Sequence, residues 1–251
     1  MLYNSLYRSA QLSKASYLHP TKINMKTNIK PVFHTCPETG ADAYSWYDEY
    51  NKELTFSVRG TQGVKDILKD MDVRHQTLCI DNGIEICVHK GFYDQFSSIE
   101  SQLMSEIEKN PNVEKLHFTG HSLGAAVASI AATKIKLATQ LATSLHTFGS
   151  PRVGNYGYAM WSEGVLDEHI RVMHVQDPVG RVPFSTRFYH IPGKHILFDD
   201  DYNYTIATTD IGFFRRLWNI YMNVDRQDLI KDHDMSGYVE FCHHMLTNTD
   251  E

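Results

Sequence analysis

No stretch of the 251-residue chain is long and apolar enough to read as a membrane span. The longest small-apolar run, Leu123 to Ala132, is about half a bilayer crossing and is closed by Lys134 and Lys136. A basic excess is missing too: 24 Lys and Arg stand against 30 Asp and Glu, a formal charge of −6. Without clustered cations to displace counterions, nucleic acid is excluded as a partner. Cysteine is scarce. Cys36, Cys79, Cys87 and Cys242 lack CxxC spacing, and a chain of this size needs no staples to fold, so reduced thiols in a reducing compartment are expected. The first twenty residues hold no apolar core of a secretory signal. Together these absences predict a mature start and a cytoplasmic location. No repeat, low-complexity segment or linker divides the chain, so 1–251 is expected to form a single domain that opens on an N-terminal helical segment over 1–20.

What is present alternates short apolar strands with helices. Leu2, Leu6, Ala10 and Ala15 recur about a turn apart, with Arg8 and Lys14 on other faces, which predicts an amphipathic opening helix. Leu54 to Val58 reads as a strand, and Asp81-Asn82-Gly83 between two β-rich stretches reads as a hairpin turn. A helix is expected over Tyr93 to Glu108, ending before Asn110-Pro111. Then come a strand at Leu116 to Thr119, a helix from Leu123 to Leu141, strands at Ser144 to Phe148 and Ile170 to Gln176, and a helix over Ser236 to Leu246. This order predicts an α/β fold with a mostly parallel central sheet flanked by helices.

The most informative window runs Thr119-Gly120-His121-Ser122-Leu123-Gly124-Ala125-Ala126, a GxSxG between a strand and a helix. A nucleophilic serine needs a tight strand-to-helix turn that lifts its oxygen clear of the sheet, and the small flanking residues permit it. The helix N-terminus behind Ser122 presents N–H groups to a developing oxyanion. Serine also needs a base, and this topology orders the partners Ser, Asp/Glu, His. Asp177 follows the apolar strand Arg171 to Val175 and precedes Pro178, on the rim where open α/β sheets bind ligands. For the base, the loop residue His233 competes with His190, His195, His243 and His244, and the pattern alone does not separate them. His121 adjoins the serine, but neighbours on a tight turn point apart, so a structural role is expected for it.

These residues carry a family resemblance: the chain resembles a class 3 lipase, the α/β-hydrolase family that contains the fungal triacylglycerol lipases. Phe56-Ser57-Val58-Arg59-Gly60-Thr61 is similar to the family's strand and oxyanion turn, followed by Asp66, Leu68 and Asp70 in its DxLxD. Val88-His89-Lys90-Gly91-Phe92 resembles VHxGF, Thr147 to Asn155 resembles TFGxPRVGN, Asp177-Pro178-Val179 falls on DPV, and Asp232-His233 falls on the late DH. The blocks run in the family's order over most of the chain. The resemblance implies the α/β-hydrolase fold, Ser122 as nucleophile, His233 as general base and then acid, and Asp177 as the group that orients it. It also implies an oxyanion hole of the Leu123 N–H with the Thr61 N–H and hydroxyl. No metal or organic cofactor is needed. Gly180 departs from the second proline that the family often has there.

The implied activity is a serine carboxylic-ester hydrolase, a lipase acting on acylglycerol-like lipids through an acyl-enzyme. A phospholipase A1 or a short-chain or aromatic esterase on the same scaffold is the alternative, and a catalytically idle lipid-binding module is a second one. Val64, Ile67, Leu68 and Met71 follow the i, i+3, i+4, i+7 pattern opposite charged residues. They read either as a plain surface helix or as a lid that opens on a lipid–water interface; the tryptophan usual in such lids is missing. The aromatic-rich insertion with Tyr202, Tyr204, Phe213, Phe214, Trp218 and Tyr221 reads as packing or as a cover for an acyl groove. Asp199-Asp200-Asp201 lacks spaced oxygen ligands and reads as a solvated loop, and His243-His244 beside Cys242 lacks metal-ligand spacing.

Overall fold

The computed structural model describes residues 2–23, 29–61, 74–183, 185, 187–207 and 231–248. The chain opens on α1 (Leu2–Ala15) and then lays down β1 (Val32–Cys36), β2 (Ala41–Asp48) and β3 (Glu53–Val58) as an antiparallel meander. The hairpin β4 (His75–Asp81) and β5 (Ile84–His89) forms a separate two-stranded sheet. Asn82 and Gly83 both adopt positive φ at its turn, as an Asn-Gly hairpin requires. Next come α2 (Lys90–Lys109), β6 (Lys115–His121), α3 (Leu123–Thr139), β7 (Ala142–Phe148), α4 (Tyr156–Val165), β8 (Glu168–His174), β9 (Lys194–Phe198), β10 (Tyr204–Ala207) and α5 (Met235–Thr247).

The main sheet has the order β1-β2-β3-β6-β7-β8-β9-β10, with parallel pairing from β3 through β9 and antiparallel strands at both ends. This is the mostly parallel sheet expected. Being parallel at its centre, it must be covered on both faces, and two apolar clusters do this. On one face Phe92, Phe96 and Ile99 of α2 and Ala126 to Ala132 of α3 pack on Leu54, Phe56, Phe118 and Leu145. On the other, Leu6 and Ala10 of α1 and Tyr238, Phe241 and Met245 of α5 pack on Phe148, Ile170, Val172 and Phe198. The alanine run of α3 lets that helix sit close to its strands.

Three details differ from the sequence reading. The buried side of α1 includes Ser9 and Ser13 as well as its apolar stripe, because it faces polar positions of the sheet: Ser9 Oγ meets His117 Nε2 at 2.8 Å and His146 Nδ1 at 2.9 Å, and Ser13 Oγ meets Thr119 Oγ1 at 2.9 Å. β8 stops at His174 instead of Gln176, since the chain must leave the sheet to deliver Asp177 to the rim. β1, β2, β9, β10 and α4 are additions. β1, β9 and β10 are short, β2 mixes Asp42, Ser45 and Asp48 with its apolar residues, and α4 carries Gly157 and Gly164, which weaken its helical pattern. None of the helices among the described residues is long and apolar enough to cross a membrane.

Candidate active site

Strand β6 ends at His121 and α3 starts at Leu123, leaving Ser122 alone to turn the chain. It does so with φ 59° and ψ −132°, a conformation that non-glycine residues adopt at a cost and only when their surroundings enforce it. The surroundings here are tight. A Cβ at Gly120 would stand 2.6 Å from the Gly124 carbonyl group, and a Cβ at Gly124 would stand 2.3 Å from the Val58 carbonyl oxygen. Both glycines of GxSxG are therefore required by close backbone approach. The Ser122 N–H donates to the Phe148 carbonyl at 3.0 Å, which ties the elbow to β7. Leu123, the first residue of α3, follows immediately.

The turn Arg59 to Thr61 leaves β3 beside this elbow. Arg59 anchors it to β2, with its N–H on the Asp42 carbonyl and its guanidinium on the Asp42 carboxylate, both at 2.9 Å. A Cβ at Gly60 would lie 2.5 Å from the His121 carbonyl oxygen, so the turn carrying Thr61 presses directly on the elbow carrying Ser122.

Asp177 sits three residues past β8, where Pro178 and the short turn Val179–Arg181 close the loop. Its Oδ1 accepts the Val179 N–H at 2.8 Å, and its Oδ2 accepts both the His233 Nδ1–H at 2.7 Å and the Tyr238 hydroxyl at 2.5 Å. His233 ends the short turn Lys231–His233, just before α5, whose N-cap Asp234 accepts the Ser236 N–H at 2.7 Å. Ser122, Asp177 and His233 are all buried, at 0%, 1% and 1% exposure. Ser122 Oγ and His233 Nε2 are both enclosed without a hydrogen-bond partner, the state expected of a nucleophile and base whose bond tightens only with substrate.

The rival histidines are placed elsewhere. His190 Nε2 donates to the Gly180 carbonyl at 2.8 Å, His195 Nδ1 accepts from Arg171 at 3.0 Å, His243 lies against the Tyr7 ring, and His244 meets the Asn248 amide. His121 is more than a spacer: its ring lies against that of His233, tilted by 32° with centroids 4.5 Å apart, and its Nδ1 meets the Tyr17 hydroxyl at 2.8 Å. Burial first and the neighbouring His233 second hold its pKa well below the usual range, so the ring is neutral. Tyr17 and Tyr238 were not singled out from the sequence because no short motif marks them, and His121, given only a structural role there, lies beside the base; their signal is proximity across the fold. The candidate lid, Val64, Ile67, Leu68 and Met71, lies outside the described residues, as do Phe213, Phe214, Trp218 and Tyr221 of the aromatic insertion.

The acidic turn at Asp199 is largely self-bonded, with Asp199 Oδ1 accepting the N–H groups of Asp201 and Asn203 at 3.0 Å. Asp200, with His174 and Asp232, brings three possible ligand atoms within 4.8 Å of one another. His174 Nδ1 accepts the Gln176 N–H at 3.3 Å, however, which leaves the ring proton on Nε2, facing Asp200 at 3.4 Å. That is the geometry of an imidazole–carboxylate pair, not of a metal ligand.

Comparison with known proteins gives the same reading of the scaffold. The family model described as Lipase (class 3) matches residues 55–187. The chain is 33% identical over 150 residues to secreted mono- and diacylglycerol lipase 1 of Fusarium solani, covering 58% of this chain and 44% of that protein. It is 29% identical over 179 residues to secreted mono- and diacylglycerol lipase A of Penicillium cyclopium, covering 69% and 57%. The chain thus spans about half the length of these relatives. The solved triacylglyceride lipase of Rhizomucor miehei superposes with a TM-score of 0.70 at 21% identity, over 82% of this chain and 84% of that one, and shares the α/β-hydrolase fold. One expectation is overturned: a cytoplasmic location conflicts with relatives described as secreted. Neither the four free thiols nor a missing apolar run in the opening residues reports the compartment.

Proposed function

The chain belongs to the class 3 lipase family, and from that premise we propose that it is a serine carboxylic-ester hydrolase that cleaves acylglycerol-like lipids through an acyl-enzyme. The observation that carries this reading is the convergence of a serine in a strained elbow with a buried, hydrogen-bonded imidazole–carboxylate pair. His233 Nε2 takes the proton as Ser122 Oγ attacks the ester carbonyl, while Asp177 holds Nδ1–H and stabilises the imidazolium that forms. Charge then develops on the former carbonyl oxygen, and the Leu123 N–H with the Thr61 N–H and hydroxyl receives it; losing one such donor costs about 3 kcal/mol. His233 returns the proton to the leaving alcohol, and a water activated by the same imidazole cleaves the acyl-enzyme. No step calls for a metal or cofactor.

Because one site draws on Ser122, Asp177 and His233, we read 1–251 as one domain. We place the substrate at a lipid–water interface, with the segment at Val64 to Met71 as its lid. A fluorophosphonate probe tests the chemistry: the chain should be labelled stoichiometrically, and Ser122→Ala should abolish both labelling and hydrolysis. Labelling that survives Ser122→Ala, or none in folded protein, would overturn the nucleophile.

A further inference from the structure

The segment after α1 reaches the site from outside the stretch matched by the family model, which begins at residue 55. Its position is fixed along its length. Ser13 bonds Thr119, the Leu12 carbonyl accepts the Ser57 hydroxyl at 3.1 Å, and the Leu18 carbonyl accepts the Tyr44 hydroxyl at 2.8 Å. These bonds deliver Tyr17 to the rim where β3 and β6 end. There its hydroxyl lies 2.8 Å from His121 Nδ1, and a Cβ at Gly60 would stand 2.2 Å from the same oxygen.

Donor and acceptor roles then run in one direction. Burial pushes the Tyr17 hydroxyl up, so the phenol keeps its proton. The neutral His121 ring can accept on Nδ1, and the Tyr17 O–H donates to it across 2.8 Å. A neutral ring that accepts on Nδ1 carries its proton on Nε2, and that side turns toward the backbone of His233 without closing a hydrogen bond of normal geometry. The same ring packs, tilted, against the His233 imidazole.

We propose that Tyr17 and His121 are positioning residues: they link the oxyanion turn at Gly60-Thr61 to the ring of His233, so that the N-terminal segment belongs to the hydrolytic machinery. The proposal rests on the reading of Ser122, His233 and Asp177 given above. It predicts a defect in the step in which charge develops, because the link runs from the oxyanion turn to the ring of the base.

The test is hydrolysis of p-nitrophenyl butyrate by the full chain, with inhibition by phenylboronic acid, which forms a tetrahedral adduct on the nucleophilic serine. Tyr17→Phe should lower kcat about tenfold, less than the loss of a whole oxyanion donor, with KM within twofold and boronate affinity falling in parallel with kcat. Tyr44→Phe removes a hydroxyl that anchors the same segment but not the link, and should change thermal stability while leaving kcat within twofold. His121→Asn keeps an acceptor near the Nδ1 position and removes the ring beside His233, so it too should lower kcat at constant KM; it decides the matter if Tyr17→Phe does not fold. Unchanged kcat and boronate affinity in Tyr17→Phe or His121→Asn, or an equal kcat loss in Tyr44→Phe, would overturn the link while Ser122→Ala remains inactive. Activity surviving in Ser122→Ala would instead remove the reading beneath it.

Discussion

The Tyr238 hydroxyl donates to Asp177 Oδ2 across 2.5 Å, and the same hydroxyl accepts the His174 N–H at 3.2 Å. Tyr238 is fully buried on α5, five residues after His233, so one helix start supplies both the proposed base and a second donor to its carboxylate. Burial first, and then the Asp177 charge, push the phenol well above the usual tyrosine range, which keeps it a donor. Tyr238→Phe removes a bond to a charged group, of the kind that contributes about 1.5–3 kcal/mol. If half of that is felt when the imidazolium forms, kcat falls about three- to tenfold. Steady-state kinetics on a soluble ester, alongside thermal unfolding, check this; kcat within twofold of the parent would show that the hydroxyl serves packing alone.

Two glycines make opposite predictions. Gly124 has the Val58 and Arg59 backbone within 2.3–2.8 Å of any added Cβ, whereas Gly237, inside α5, has nothing within 4 Å. Gly124→Ala must push α3 off β3 and should destabilise by about 2 kcal/mol or more, with loss of fluorophosphonate labelling. Gly237→Ala gains helix propensity without a clash and should stabilise by about 0.5–1 kcal/mol. Urea titrations of both variants measure the difference, and a stable, labelled Gly124→Ala would contradict the close approach.

Much of the site was legible because each of its parts has a local cause. Ser122 lies in a motif whose glycines answer to backbone contacts, and Asp177 follows an apolar strand that must end at the ligand-binding rim. His233 was not separable from His190 or His195 by pattern alone, since its partner lies 56 residues away and only the fold brings them together; the family resemblance made the choice. Tyr17, His121 and Tyr238 act through contacts of 61 to 104 residues' separation, which no window of sequence reports. The polar seam under α1 was hidden for a related reason: Ser9 and Ser13 are small enough to pass as solvent-facing until His117, His146 and Thr119 of β6 and β7 are seen opposite them.

Interfacial activation is the prediction that follows from the sequence pattern at Val64, Ile67, Leu68 and Met71. A lid opens at a lipid surface only if its apolar side gains more burial there than over the site. Ile67→Ser with Leu68→Ser should therefore reduce hydrolysis of a triolein emulsion more than that of soluble p-nitrophenyl butyrate. Equal losses on both substrates would assign the pattern to an ordinary surface helix.

Stability should fall on the acid side well before carboxylates titrate. Burial, the leading cause in each case, holds His117, His121 and His190 well below the ordinary value of 6.5 and lowers His169 to about 4 and His195 to about 2. In the folded chain these rings are neutral near pH 5, while in the unfolded chain they bind protons below pH 6.5. The unfolded state therefore takes up more protons, and stability rises with pH in this range. The stabilisation is fully present above pH 6.5 and is lost as the pH falls toward each folded value, which for His169 is about 4. Asp48 and Asp167, lowered from 3.8 mainly by their hydrogen-bond donors and nearby cations against burial, add their loss only further down. Urea midpoints at pH 7.5, 6.5, 5.5 and 4.5 should fall least between the first two and more at each later step; a flat profile down to pH 4.5 would mean that the buried rings take up protons as readily in the folded chain as in the unfolded one.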